Sequence, residues 1–139
     1  MGDLMRIDEM PAGREMDKAI GQHIFKYWVE HYDKDYAENC YYCLMDGSGD
    51  AVIPGLHEGE RRTEEEAWAD CPEFSTDIAA TWEVLNKFTH KKPCINYLND
   101  LWNPVGWHCH IDGHHTEGCD TAPLAICRCA LKVAGVTEI

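Results

Sequence analysis

The stretch that decides the fold is Thr121-Ala122-Pro123-Leu124-Ala125-Ile126-Cys127-Arg128-Cys129-Ala130-Leu131-Lys132-Val133-Ala134. Leu124, Cys127, Leu131 and Ala134 recur at helical spacing along one stripe, and Ile126, Ala130 and Val133 trace a second. Gly135 follows as a stop signal. A helix that is apolar around most of its circumference must be covered on more than one side. Its natural place is on a sheet, with another helix beside it.

Immediately upstream the period changes to two. Val105, Trp107, Cys109 and Ile111 alternate with Gly106, His108 and His110, the pattern of a strand with one apolar face. Ile95 and Tyr97 supply an antiparallel partner, with the segment from Asn99-Asp100 to Asn103-Pro104 as the bend. Further back, Ser75 is placed to cap a helix whose first turn holds Asp77. Ile78, Trp82, Leu85 and Phe88 or Thr89 share one face of that helix, with Ala79, Ala80 and Val84 broadening it. Near the start, Met16, Ile20, Ile24, Tyr27 and His31 predict a helix over residues 12–31. The middle segment, 32–74, reads less regularly. Tyr41 to Met45 suggests a strand and Ala51 to Ile53 its return, while Thr63 and Glu66 form a capping box for a short helix near 64–70. The expected fold class is α+β: a layered α/β/α sandwich with a small, mainly antiparallel sheet and about three main helices. Residues 1–139 read as one domain, with 1–10 frayed and 32–74 an irregular acidic insertion.

Composition narrows the function. Apolar content of 45% with five tryptophans can fill a core. No run reaches the ~18 apolar residues of a membrane span. The opening MGDLMRIDEM has acids where a secretory signal needs basic residues. The expectation is therefore a cytoplasmic protein whose eight cysteines are reduced. Net charge is −13, and fourteen acids face three bases between Glu30 and Asp77, a local net of −11. Such a field repels nucleic acid and anionic membranes, so neither is an expected partner.

Three strings carry a family resemblance: Pro11-Ala12-Gly13-Arg14-Glu15-Met16-Asp17, then the segment from Phe74-Ser75-Thr76-Asp77 to Val84, then Thr121 to Leu131. In order and spacing they resemble the phage ABA-sandwich domain family of bacteriophage and prophage proteins. Thr81 and Cys129 stand where the family pattern has alanine, and the middle here is longer and richer in Cys, His and acids. The resemblance implies a sheet layered with helices. It implies no activity and no catalytic residue.

Two groups of residues could hold a metal. Cys40-Tyr41-Tyr42-Cys43 has the spacing with which two thiolates grip a structural zinc, and Cys71 is a further thiol. His108 and His110 share one face of their strand, and the following loop, with His114, His115 and Cys119, could complete a site. A redox role for the CxxC pair is disfavoured by its acidic surroundings, which oppose thiolate formation. Cys127 and Cys129 lie too far apart around their helix to act jointly, and Cys127 reads as core. Asp77, Glu83 and Arg128 read as capping and ion-pairing groups, and Arg14 and Trp82 as fold elements. No nucleophile elbow, phosphate loop or paired-histidine protease motif is present. No cofactor is required by any of these patterns, and zinc is the one they would suit.

The leading expectation is a phage or prophage accessory protein without catalytic activity that binds another protein, from host or phage. The alternatives are a zinc-dependent enzyme using His108 and His110, and an acidic inhibitor that imitates DNA.

Overall fold

The computed structural model describes residues 5–33 and 40–139. In chain order the elements are α1 (Arg14–His23), β1 (Trp28–Tyr32), β2 (Tyr41–Met45), α2 (Glu64–Trp68), α3 (Ile78–Asn86), β3 (Cys94–Leu98), β4 (Gly106–Ile111), β5 (His114–Cys119) and α4 (Ala122–Val133). Among the described residues, four α-helices and two small antiparallel sheets make an α+β fold, as the periodicities predict. The residues fall into two compact units, one within Met1–Ile24 and Glu73–Ile139, the other within Phe25–Pro72.

The first unit is organised around α4. Thr121 caps it by accepting a hydrogen bond from the Leu124 amide at 3.2 Å, and Pro123 sits in the first turn, where a missing N–H costs nothing. Eight of its residues are buried, from Pro123 to Leu131. One side lies on β4 and β5, and α1 and α3 contact the same helix. Small residues permit the close approach: Ala125, Cys127, Cys129 and Ala130 are all fully buried. The two cysteines mark the two sides. Cys129 donates to the His114 carbonyl at 3.4 Å, on the sheet side, and Cys127 donates to the Phe74 carbonyl at 3.2 Å, beside α3. Burying Ile126 and Leu131 contributes about 1.5–3 kcal/mol each. The helix on a sheet with helices beside it is the arrangement that its doubled stripe requires.

The sheet has the order β3-β4-β5. Ile95 pairs with Cys109 and Tyr97 with Trp107, the hairpin expected from the alternation. Residues 114–119, expected as a loop, form β5 instead. Asp112 (φ 48°) and Gly113 (φ 83°) make the tight two-residue turn into it. Thr116 donates to the Ala125 carbonyl at 2.8 Å, tying this strand to α4.

Three expectations about the helices change. The first helix ends at His23, not residue 31, because Lys26 takes a left-handed φ of 61° and Trp28, Val29 and Tyr32 enter a strand. Ser75 does not cap α3. Asp77 does, accepting from the Ala79 amide at 3.1 Å. The buried face of α3 is Thr81, Val84 and Leu85, so Ile78 and Trp82 face outward at 55% and 59% exposure. Residues 5–10 are not frayed: Arg6 bridges to Glu138, and Ile7 and Met10 are buried.

Ser75 has another task. Its amide and its hydroxyl both donate to Oδ1 of Asp17, at 2.7 and 2.6 Å, and its Oγ accepts from the Gly13 amide at 2.9 Å. Asp17 and Ser75 are both buried, and this cluster joins α1 to the approach of α3 by direct hydrogen bonds. Burial, only partly offset by the Ser75 hydrogen bonds, pushes the Asp17 carboxyl above its ordinary value of 3.8.

The second unit pairs β1 with β2 antiparallel, Trp28 opposite Met45 and Tyr32 opposite Tyr41. His31 stacks on Tyr42 and Tyr32 on Tyr41, with centroids 4.5 and 4.6 Å apart. Ala51 returns to Met45 as a single bridge, so the expected second strand is reduced to that contact. The Thr63 cap holds, with Oγ1 accepting from the Glu66 amide at 3.1 Å at the head of α2. Arg61 pairs by its backbone with Tyr42, and its guanidinium meets Asp70: Nη2 donates to Oδ1 at 3.0 Å, while Nε lies 2.9 Å from Oδ2 without hydrogen-bond alignment.

Removing the carboxyl of Asp17 takes the acceptor from the buried Ser75 amide and leaves its hydroxyl the Gly13 carbonyl, 3.3 Å away. Asp17→Ala is expected to lower stability by about 1–3 kcal/mol in urea unfolding. Asp17→Asn keeps an acceptor without the charge. A carboxyl whose folded pKa is raised binds more protons folded than unfolded, so its contribution declines as pH rises from about 3.8 through the folded value. The stability of wild type relative to Asp17→Asn is therefore expected to fall with pH across that window; a flat difference would contradict the placement.

Candidate functional site

The β3–β4 connection is the most exposed apolar feature of the first unit. Leu101 is 95% exposed and Trp102 88%, and Val105 and Tyr97 flank them, also exposed. The turn itself is well built. Oδ1 of Asp100 accepts from the amides of Trp102 and Asn103 at 2.8 and 2.9 Å, and Nδ2 of Asn103 donates to the same carboxyl at 3.2 Å. The Trp102 amide, followed by the Asn103 side chain, holds the Asp100 carboxyl below the usual range.

The strand that follows is fixed at its root. His108 Nε2 lies 2.8 Å from the Pro104 carbonyl. Gly106 takes a φ of 135°, and a Cβ there would sit 2.7 Å from the Cys119 carbonyl, so glycine is the residue that fits. Trp107 meets Tyr97 edge-on at 5.5 Å. An ordered turn thus carries two large apolar side chains that the chain does not cover.

The histidine and cysteine side chains expected as metal ligands divide by strand face. His110 pairs with Cys94 on one side and His115 on the other, and His108 lies two residues before His110, so all four project from the outer sheet face. Cys94, His110 and His115 are exposed. His114 and Cys119 belong to the other face, opposite Ile111 and Trp107. Cys119 is buried there, 3.6 Å from Nη1 of Arg128. Cys40 and Cys43 do not sit at a turn. Cys40 directly precedes β2, so residues three apart emerge on opposite faces, and Cys40 is exposed while Cys43 is buried. Cys71 is buried, and desolvation pushes the Cys43 thiol up. Among the described residues, no three His, Cys, Asp or Glu side chains stand around a common point.

The charged residues of the three recurring strings serve the framework. Arg128 donates from Nε and Nη2 to the Met10 carbonyl at 3.1 and 2.7 Å. Asp77 caps α3, and Glu83 faces solvent. Burial pushes the Cys127 thiol well up, and contact with Cys129, together with burial, does the same to Cys109. These thiols are packing groups. Sequence reasoning missed Leu101, Trp102, Cys94 and the outward turn of Trp82. Two bulky apolar residues inside a polar bend were the available signal for the first pair.

Arg128→Met keeps the stem and removes the fork. It is expected to lower the unfolding midpoint, with a loss of about 1.5–3 kcal/mol for hydrogen bonds from a charged donor. Unchanged stability would contradict the strut role.

No curated protein and no solved structure matches the chain. No helix among the described residues is long and apolar enough to cross a membrane. The model of the phage ABA sandwich domain matches residues 5–131, which takes in both units and all three strings. With helices layered on a sheet and that match over most of its length, the chain belongs to the phage ABA sandwich domain family.

Proposed function

We propose that this phage protein works by docking on another protein, with the turn at residues 99–105 as the contact and Leu101 and Trp102 as its anchors. The observation that carries this reading is their near-complete exposure on a turn held by four hydrogen bonds to Asp100. Large apolar side chains left in water on an ordered loop mark interaction sites, and Trp is prominent among residues that dominate binding energy. The ordered turn also reduces the entropy lost on association. Ile78 and Trp82 on α3 offer a second exposed apolar pair.

The net charge of −13 selects the partner's chemistry: an apolar cleft in a basic protein surface, from host or phage. The same charge argues against a nucleic acid or an anionic membrane in that role. Imitation of DNA is the weaker alternative. It needs an unbroken acidic array, and Arg61 lies within the acidic segment and engages Asp70.

A photo-crosslinking residue at position 102, used in infected cells, would identify the neighbour; the reading is then tested with that protein purified. Trp102→Ala is expected to weaken binding by at least about tenfold. As an exposed substitution it should leave stability within about 0.5 kcal/mol. Rising salt should weaken the wild-type complex further. Equal affinity of the variant and wild type would overturn the assignment of the turn.

A further inference from the structure

We infer that the exposed face of α3, centred on Ile78, Ala79 and Trp82, docks against the same face of a second copy of this chain, the two helices running antiparallel. The surface is separate from the turn at 99–105 and begins in the burial pattern of the helix. Thr81, Val84 and Leu85 turn to the core, which leaves Ile78, Ala79 and Trp82 in solvent. Ile78 and Trp82 are four residues apart and so lie side by side on the helix surface. Adjacent large apolar side chains left in water mark a contact surface. The small Ala79 beside them leaves room for a second helix at the usual 8–10 Å between axes.

Charge decides the occupant. The chain as a whole carries −13, which opposes self-association. Residues 73–92 escape that repulsion, because Glu73, Asp77 and Glu83 are matched by Lys87, Lys91 and Lys92. The signs are also sorted. Glu73 and Asp77 stand at the N-terminal end of α3, and the three lysines follow at its C-terminal end. An antiparallel pair centred on Trp82 sets the basic end of each copy beside the acidic end of the other, twice, as two-fold symmetry requires. The helix dipoles favour the same arrangement, each positive N-terminus next to a negative C-terminus. Parallel pairing would set like charge beside like.

One of these charges is already engaged: Lys91 meets Asp112 at 3.1 Å. Lys92 is exposed and makes no ion pair among the described residues. The patch is small. α3 has nine residues, roughly 13 Å at 1.5 Å per residue. So short a helix covers less than the ~800 Å² per partner of a standard interface, and the expected dimer is weak and concentration-dependent.

Sedimentation equilibrium of the full chain, under reducing conditions and up to about 1 mM, should show a reversible monomer–dimer equilibrium. Trp82→Ala should weaken it by at least about tenfold. Trp102→Ala should leave it unchanged, which separates this surface from the docking turn. Glu73→Lys and Lys92→Glu should each weaken association by about threefold or more, because each sets like charges together at both ends of the pair. Mixed in equal amounts, these two variants should associate again: the introduced charges meet across one end and the native pair is restored across the other. Circular dichroism should show all variants folded. A monomer at every concentration, a dimer indifferent to Trp82→Ala or lost in Trp102→Ala, or charge variants that do not recover on mixing would overturn the inference.

Discussion

A helix can bury one stripe against a neighbour and leave the rest to water, but α4 has no side to spare. From Pro123 to Leu131 only Arg128 escapes burial, and it is partly covered. The sheet must therefore lie on one side, and α1 and α3 must contact the other. Small side chains at Ala125, Cys127, Cys129 and Ala130 let these layers approach closely, so any larger group there would force them apart. The rest of the first unit is arranged to satisfy that requirement.

Polar struts then fix what packing alone would leave free to slide. Asp17 with Ser75 joins α1 to the entry of α3, and Cys127 and Thr81 donate to the Phe74 carbonyl at the same corner. Arg128 holds the backbone at Met10. These residues lie in the strings that carry the family resemblance, so those strings encode the scaffold. The exposed apolar turn at 99–105 lies outside those strings. A shared frame with function carried on loops and strand faces is how one fold serves several tasks.

The parts of this architecture that were legible in the sequence are those with a sustained period. The doubled stripe of 121–134 and the alternation of 105–111 each had one packing solution, and the structure adopts both. The failures have local causes. Met16 to Ile24 set a helical rhythm that Tyr27 and His31 extend by coincidence, while the left-handed Lys26 leaves no mark that a period can show. Trp82 read as core because tryptophan usually is, yet Thr81 one position earlier takes the buried place, its hydroxyl bound to the Phe74 and Asp77 carbonyls. Asp112-Gly113 was a legible hairpin signal that histidine-rich composition masked. His108 and His110 read as sharing one face from strand spacing, but that Cys94 and His115 stand directly beside His110 depends on register across strands, which sequence spacing does not contain.

Thiol protection tests the central claim most directly, because α4 carries a cysteine toward each of its two covers. Alkylating the native protein and mapping the modified residues by mass spectrometry should label Cys94 rapidly. Cys127 and Cys129 should stay protected until denaturant unfolds the protein. Labelling of either helix cysteine at the rate of Cys94 under native conditions would mean that one cover is missing, and the layered account would be wrong.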